Sequence, residues 1–344
     1  MKMNTRIRRA LAAVAVTGFP LAGVAAQAAP ETAVPLAGTP VGSAAGAVAE
    51  KAAPPVPVSE HVIVISIDGL RPDAIVQYDA KNLKRLMEEG SYSMEASTIL
   101  PSKTLPSHTS MLTGTEPAQH GVNWNSEEME KHGHIATPTI FAQAKQAGLH
   151  TAAFFSKSKF EHLAVPGTLD HFEAPHNFLG KRHGDKTVAR AEKYLEDNKP
   201  NLLFVHIGEP DFVGHFIGWM TDPYGWAVEE ADDEVGDLLV AADKAFGAGN
   251  YTVIVTADHG GHGRDHGSDD PRDVTIPWIT WGKAVHGGTY LGPGIRTMDT
   301  AATALWLLGV EPSDVNIGKP VARAYSAKDA EVVTARTPTQ RTQS

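Results

Sequence analysis

The chain has 344 residues, of which 42% are hydrophobic and 20% are charged, as is typical of a globular protein with one large domain or two modest ones. It contains no cysteine, which excludes disulfide bonds, thiolate metal ligands and a cysteine nucleophile. The formal net charge of −10 argues against binding nucleic acid over an extended surface but is compatible with a small anionic substrate.

Residues 1–28 have the pattern of a secretory signal peptide. Cationic residues between Lys2 and Arg9 precede an apolar stretch and a small-residue cleavage site that ends at Ala28. A retained membrane anchor is the alternative, but the apolar stretch is shorter than the ~20 residues that span a bilayer. The sequence therefore predicts a periplasmic or secreted protein with no stable membrane insertion after cleavage.

The remaining chain divides by composition into three parts. Residues 29–58 are rich in alanine and proline and are predicted to be a disordered linker. Residues 59–324 form the predicted catalytic domain, and residues 325–344 are expected to be a disordered tail.

Strands and helices alternate through the predicted domain. Strands are predicted at His61–Ile67, Tyr92–Ile99, His150–Ser156, Asn201–Ile207, Tyr251–Thr256 and Thr275–Trp281, and helices at Ala80–Gly90, Pro138–Gly148, Lys186–Asn198, Trp226–Phe246 and Met298–Gly309. This alternation predicts an α/β fold, a three-layer α/β/α sandwich around a mostly parallel central sheet with little or no cap domain. The segment Lys157–Lys186 is interpreted either as a small lid or as a solvated loop over the sheet.

Acidic and histidine residues follow three of the predicted strands. Asp68 follows the first, Asp211 and His215 follow NLLFVHI, and Asp258 and His259 follow YTVIV. A lone aspartate in such a place usually caps a helix or a turn. Because ligands gather at the carboxyl ends of parallel strands, three such clusters together indicate one binding site.

The loop TADHGGHGRDHG adds His262 and His266 to these candidates. Carboxylate and imidazole groups at this density predict a bound transition metal. Zinc is favoured because carboxylate oxygen and imidazole nitrogen are the ligands that it takes where no sulfur is available. At least six candidate ligands exceed one tetrahedral centre, so two divalent ions are predicted. Two ions about 4 Å apart suit in-line displacement at phosphorus.

Thr104 lies on the loop before Pro106, between the first cluster and the others, and the segment SHTSMLTG that follows begins a predicted helix. Taken alone, it would be interpreted as a cap or turn residue. Beside a metal, its hydroxyl is the natural candidate for a nucleophile. The residues by themselves thus predict a metal-dependent hydrolase of an anionic ester and leave phosphate and sulfate open.

Six motifs in a fixed order, SIDGLRPD, PSKTLPSHTSMLTG, HGVNWN, EPDFVGH, TADHGGHG and RDHGSD, resemble the alkaline phosphatase superfamily. The resemblance covers about residues 60–320 and is greatest to the nucleotide pyrophosphatase/phosphodiesterase branch. It implies that one ion is held by Asp68, Thr104, Asp258 and His259, and the other by Asp211, His215 and His266. It also implies that Thr104 is the nucleophile and that Asn125 hydrogen-bonds a phosphoryl oxygen.

The resemblance leaves several points open. His262 is the alternative to His266 as a ligand, or else a supporting or loop residue. Ser107-His108 departs from the Asn-His of many diesterases, and no arginine matches the one that monoesterases place on the phosphate. Aromatic residues that could form a leaving-group pocket are Trp124, Phe160, Phe178, Trp219 and Tyr224.

The sequence therefore predicts a secreted dinuclear-metal phosphohydrolase that cleaves small phosphate diesters or pyrophosphate, as in nucleotides, through a phosphothreonine intermediate. A phosphomonoesterase or phosphonate hydrolase is the alternative. A sulfatase is disfavoured because threonine cannot form the required aldehyde, and a noncatalytic metal-binding protein is disfavoured because every site position is filled.

Overall fold

A computed structural model describes residues 57–175 and 184–326 of the chain. Its strands are β1 (Val62–Ile67), β2 (Ser91–Ser97), β3 (Thr151–Phe154), β4 (His171–Glu173), β5 (Leu202–Ile207), β6 (Thr252–Thr256), β7 (Thr275–Gly282) and β8 (Thr289–Tyr290). Its α-helices are α1 (Pro72–Gln77), α2 (Lys81–Glu89), α3 (Thr104–Thr113), α4 (Pro117–His120), α5 (Met129–His132), α6 (Ile140–Gln146), α7 (Gly184–Asn198), α8 (Glu209–Phe216), α9 (Asp222–Phe246), α10 (Pro271–Val274) and α11 (Asp299–Leu307). The predicted signal peptide, nearly all of the linker and most of the tail lie outside the described residues.

The eight strands form one sheet in the order β4-β3-β5-β1-β6-β7-β2-β8. Strand β7 runs antiparallel to β6 and β2, and the other pairings are parallel. The predicted mostly parallel α/β fold is therefore confirmed, whereas the reversed direction of β7 was not anticipated.

Strand β1 lies between β5 and β6 at the centre of the sheet, and all three strands are fully buried. Their apolar and β-branched residues suit a strand that is covered on both faces. Ser66 pairs with His206 on one side and with Thr256 on the other. Because of this register, the three strands end at the same edge of the sheet.

Helices cover both faces of the sheet. On one face α9 packs against α2, α7 and α8, and on the other α11 packs against α3 and α6. Helix α9 buries Val228, Val235 and Leu239, which recur at helical spacing along one side. Among the described residues, no helix is long and apolar enough to cross a membrane.

The segment interpreted above as a lid or a loop is partly regular structure. A 3₁₀ helix covers Ser158–Leu163, and β4 then pairs in parallel with β3 and extends the sheet by one edge strand. Residues 176–183, including the candidate pocket residue Phe178, lie outside the described ranges.

Candidate metal centre and active site

Three buried aspartates lie where β1, β5 and β6 end, and each has one carboxylate oxygen held by protein donors. Asp68 Oδ2 accepts from Lys157 Nζ at 2.5 Å and from His206 Nε2 at 2.9 Å. Asp211 Oδ2 accepts from the same ammonium at 2.6 Å. Asp258 Oδ1 accepts from the backbone N–H groups of Gly69 and His259, at 3.2 and 3.0 Å.

The second oxygen of each aspartate is buried without a hydrogen-bond partner in the described structure; these atoms are Asp68 Oδ1, Asp211 Oδ1 and Asp258 Oδ2. Buried polar atoms are almost always satisfied, and an unpaired buried charge is strongly destabilising. Such a trio of free oxygens therefore fits a site that binds cations.

Three histidines turn one ring nitrogen toward these oxygens. Their Nδ1 atoms donate to backbone carbonyls, His259 to Gly260 at 2.8 Å, His215 to Arg264 at 2.9 Å and His266 to Ser102 at 2.7 Å. A donating Nδ1 leaves the lone pair on Nε2, which is how metal-binding histidines are oriented. All three side chains are thus set to coordinate through Nε2.

The donor atoms form two neighbouring groups. In the first, His259 Nε2 lies 3.3 Å from Asp68 Oδ1, 3.2 Å from Asp258 Oδ2 and 3.4 Å from Thr104 Oγ1. In the second, Asp211 Oδ1 lies 3.3 Å from His215 Nε2 and 3.6 Å from His266 Nε2.

These separations fit zinc coordination. Zinc bonds to nitrogen and oxygen of about 2.0–2.2 Å place tetrahedral ligands roughly 3.3–3.6 Å apart. The two groups adjoin, since Asp211 Oδ1 is 4.0 Å from His259 Nε2. The structure thus brings all seven predicted ligands together. Because Asp211 lies close to Asp68 and His259 as well as to His215 and His266, the division between two ions and the roles as ligands remain predictions.

His262 lies apart from both donor groups. Its Nδ1 bonds Asp273 Oδ1 at 2.7 Å, and the imidazole remains about one third exposed. This placement supports His266 over His262 as the ligand.

Electrostatics keep several of the donors in states suited to cations, whereas burial and the neighbouring Asp68 raise the pKa of Asp258 well above its usual range. Burial opposes the charged form of Asp68, but the neighbouring Lys157 and His206 outweigh it and hold the pKa of Asp68 well below its usual range. Burial and the nearby His266 lower the pKa of His259 to about 3, so its Nε2 stays unprotonated at neutral pH. Burial disfavours the charged form of His215, yet the Asp211 carboxylate raises the pKa of this imidazole. As the pH falls, His215 is therefore the first of the three histidines at which a proton competes with metal.

Thr104 is buried at the first position of α3. Asn125 lies against the same helix start, because its Oδ1 accepts from Leu105 N at 2.8 Å and from Lys159 Nζ at 3.1 Å. Two donors on the oxygen fix the amide orientation, so its NH₂ group remains available to donate to a phosphoryl oxygen. The structure thus places the predicted nucleophile and the predicted oxyanion donor side by side.

A cavity of about 530 Å³ opens beside these residues. Its polar part is formed by Asn125, Lys157 and Lys159, and its apolar part by Phe212 and Phe216 of α8. Volumes of roughly 300–1,000 Å³ are usual for small-molecule sites.

None of the four described aromatic candidates lines this cavity, although the ring of Trp219 lies 5.2 Å from that of His215 and 6.0 Å from that of His266. Their part in a leaving-group pocket remains a prediction. Phe160 is buried against Phe155, Tyr224 is buried in the core, and the indole of Trp219 is almost fully buried. Trp124 stacks on His132 with ring centroids 3.7 Å apart. Large aromatic side chains usually serve the core, as these three buried ones do.

The sequence prediction also missed Lys157, Lys159 and His206. The lysines stand in FFSKSKF, where two cations between aromatic residues are the available signal. His206 is a single polar residue in the apolar strand β5, where it joins Asp68 to Ser156 Oγ at 2.7 Å. Its imidazole therefore positions the first aspartate.

The Gly69 turn links the two donor groups through the backbone. Gly69 has a φ of +72°, and its carbonyl accepts from Trp219 Nε1 and Tyr224 Oη, each at 2.9 Å. The Asp211 N–H donates to Asp68 O at 3.0 Å, and a Cβ on Gly69 would lie 3.0 Å from Asp211 Cα. Only glycine fits this approach at that φ.

A family model for type I phosphodiesterase / nucleotide pyrophosphatase matches residues 62–268. The chain belongs to this family. This result confirms the resemblance inferred from the six motifs.

Relatives of the family include bis(5'-adenosyl)-triphosphatase enpp4 of Xenopus laevis, which is 27% identical over 223 residues, 58% of this chain and 46% of the relative. Ectonucleotide pyrophosphatase/phosphodiesterase family member 7 of Mus musculus is 24% identical over 60% of this chain and 51% of its own length. The chain thus spans about half the length of these curated relatives.

Solved structures share the fold. An inactive variant of murine ectonucleotide pyrophosphatase / phosphodiesterase 5, in complex with AMP, matches with a TM-score of 0.65 and 15% identity, over 80% of this chain and 100% of that one. A 2-O GAG sulfatase matches with a TM-score of 0.64 and 15% identity, over 78% of this chain and 74% of that one. Because the identities are so low, these likenesses support the fold alone.

Proposed function

We propose that this protein is an exported two-metal phosphohydrolase that cleaves phosphate diesters or pyrophosphate in small, nucleotide-like substrates. The observation that carries the proposal is the set of three unpartnered buried carboxylate oxygens facing three histidine Nε2 atoms, with Thr104 Oγ1 3.4 Å from His259 Nε2. Family membership supports the reaction class, and the signal-peptide pattern of residues 1–28 supports export to the periplasm or the medium.

Asp68, Asp258 and His259 would hold one ion beside Thr104, and Asp211, His215 and His266 would hold the other. Such ions lower the pKa of a hydroxyl and neutralise charge that develops on oxygen, which is the chemistry they supply here.

Thr104 Oγ forms the bond to phosphorus and gives its proton to solvent, while the bond from phosphorus to the leaving oxygen breaks; that oxygen keeps the electron pair and takes up a proton from solvent. Water then cleaves the phosphothreonine, which restores the hydroxyl and frees the phosphate product. The Asn125 amide donates to a phosphoryl oxygen during both steps. The carbonyl of Thr104 accepts from His108 Nδ1 at 2.8 Å, which holds the backbone of the nucleophile.

Replacing Thr104 tests the proposal. The T104A protein should lose turnover of bis(p-nitrophenyl) phosphate while still binding about two ions per chain. Metal content and single-turnover labelling with phosphate ester should be measured on T104A and on T104S, which keeps a hydroxyl and should retain partial activity. Full activity of T104A would reject the nucleophile, and activity that survives complete removal of metal would reject the two-metal reaction.

A phosphomonoesterase is the second candidate, and the two lysines favour it. Lys159 lies 3.1 Å from Asn125 Oδ1, and Lys157 lines the same cavity. A monoester carries more negative charge than a diester, so a cation beside Asn125 assists the monoester more.

The K159M variant should separate the two candidates. If monoesters are the substrates, K159M should lower kcat/KM for p-nitrophenyl phosphate more than for bis(p-nitrophenyl) phosphate. An equal change for the two esters would favour the diesterase.

A further inference from the structure

Asn125 stands in a segment without regular secondary structure. Residues 121–128 connect α4 to α5 and form neither helix nor strand, and we call them the asparagine loop. No ladder of backbone hydrogen bonds therefore fixes this loop, and its conformation depends on contacts with other parts of the chain. Precision matters here, because a shift of about 1 Å in a catalytic group can cost roughly 100-fold in rate.

His162 is fully buried in the 3₁₀ helix that precedes β4, and its imidazole faces the asparagine loop. Its Nδ1 donates to the carbonyl of Gly133 at 2.6 Å, which leaves the lone pair on Nε2. That nitrogen accepts from the N–H of Glu128 at 3.2 Å and from the indole Nε1 of Trp124 at 3.4 Å. One imidazole therefore bonds the loop on both sides of Asn125.

The indole of Trp124 is held between two imidazoles. The ring stacks on His132, with centroids 3.7 Å apart and planes inclined by 9°. It meets His162 edge to face, with centroids 5.4 Å apart and planes inclined by 72°. Because Trp124 directly precedes Asn125 in the chain, a fixed indole restrains the backbone from which the amide extends.

The same 3₁₀ helix also reaches Asn125 directly. Lys159 and His162 are three residues apart on this helix, which places their side chains on the same side. Lys159 Nζ donates to Asn125 Oδ1 at 3.1 Å, and the carbonyl of His162 accepts from the N–H of Ile135 at 3.0 Å. The helix thus contacts the amide through one side chain and restrains its loop through the other.

We propose that His162 is a positioning residue, which holds the asparagine loop so that the Asn125 amide meets the phosphoryl oxygen. His162 does not line the cavity beside the donor groups, so it acts through Asn125 instead of touching the substrate. This inference rests on the proposed phosphohydrolase function and states how its oxyanion donor is kept in place. A histidine that only filled the core would change the unfolding of the protein and leave the turnover of the folded enzyme unaltered.

The test is a double-mutant cycle between His162 and Asn125, with kcat and KM measured on bis(p-nitrophenyl) phosphate. Loss of one oxyanion donor costs roughly 100- to 1,000-fold in kcat, which sets the expected effect of N125A. The H162A protein should lose about 10- to 100-fold in kcat with little change in KM, because the donor is displaced and not removed. In the N125A background H162A should lower kcat no further, although it should still destabilise the fold.

Two other histidine variants separate positioning from general damage. H162Q keeps an acceptor oxygen at the end of the side chain and should restore much of the kcat that H162A loses. H134A is the matched control, because His134 Nδ1 donates to the carbonyl of Glu161 at 3.1 Å and does not bond the asparagine loop. Its kcat should equal that of the wild type. If H162A does not fold, W124F removes one donor to His162, and its loss of kcat should likewise vanish in the N125A background.

Hydrogen exchange of peptides from residues 121–135 supplies a readout that needs no turnover. The Glu128 amide should exchange slowly in the wild type, faster in H162A and slowly again in H162Q. Unaltered exchange in H162A, or a loss of kcat that persists in full in the N125A background, would overturn the inference and leave the hydrolase intact. Absence of metal-dependent hydrolysis in the wild type, with exchange that still depends on His162, would instead reject the proposed function and keep His162 as the residue that fixes the loop.

Discussion

Replacing Lys157 with methionine should destabilise the metal-free protein much more than the metal-bound one. The ammonium bonds both Asp68 Oδ2 and Asp211 Oδ2, at 2.5 and 2.6 Å, and the lysine side chain is only 15% exposed. Methionine keeps most of the side-chain volume but leaves these carboxylates without their counter-ion, beside the equally buried Asp258.

Removing one partner of a buried ion pair typically costs about 3–5 kcal/mol. At roughly 2–4 °C per kcal/mol for domains of 150–250 residues, this corresponds to a Tm lowered by roughly 6–20 °C. Divalent ions supply the missing positive charge, so saturating zinc should recover most of the loss.

The assay is urea and thermal unfolding at pH 7.5, with chelator and with zinc, on the wild type, K157M and the matched control K159M. Lys159 carries the same charge but bonds Asn125 instead of the aspartates, so K159M should not destabilise the metal-free protein. Because the pKa of Asp68 is lowered on folding, its ion pair with Lys157 stabilises the folded protein above the unfolded pKa near 4, and this stabilisation is lost as the pH falls through the folded pKa. The difference in unfolding free energy between the wild type and K157M should therefore shrink in acid. Equal metal-free stability of K157M and wild type at neutral pH would refute this reasoning.

Two further predictions concern the candidate site. The H266A protein should bind about one metal ion per chain instead of about two, whereas H262A should still bind both, because His262 bonds Asp273 outside the donor groups. Elemental analysis after dialysis measures the bound metal. Equal losses in the two variants would contradict the assignment of His266 as the ligand. Burial and the charge of Lys157 lower the pKa of Lys159 to about 8, so its ammonium is present below that pH and is lost as pH rises through it. KM for phosphate esters should therefore increase above about pH 8, and K159R should move that increase to higher pH because arginine stays protonated. An unchanged alkaline limb in K159R would assign the pH dependence to another group.

The aspartates of the site could be predicted from the sequence because the sheet determines where they lie. Asp68, Asp211 and Asp258 each follow a strand whose apolar run is visible in the sequence, and parallel strands bring such positions to one edge. Thr104 begins helix α3 and Asn125 lies in a loop, and no periodicity in the sequence specifies the location of either. They were found through the motifs that carry the family resemblance.

The sequence did not indicate the roles of side chains that act through contacts between distant segments of the chain. Lys157 is 89 residues from Asp68 in the chain, and nothing in FFSKSKF shows that its ammonium meets two carboxylates. His206 is the single polar residue in the apolar strand β5, and its hydrogen bond to Asp68 is visible only in three dimensions. The reversal of β7 likewise depends on pairing partners, which a run of apolar residues does not specify.

The Gly69 turn has a consequence for the choice of metal. The N–H of Asp211 donates to the carbonyl of Asp68 at 3.0 Å, and the N–H of Gly69 donates to the Asp258 side chain at Oδ1, so hydrogen bonds of the main chain at this turn help to set the spacing between the two donor groups. Because hydrogen bonds restrain the backbone at this point, ions of different radius would have to be accommodated by small rotations of the carboxylate and imidazole side chains. If two ions bind as proposed, we expect the site to bind less tightly those pairs of metals that need a different separation between the donor groups.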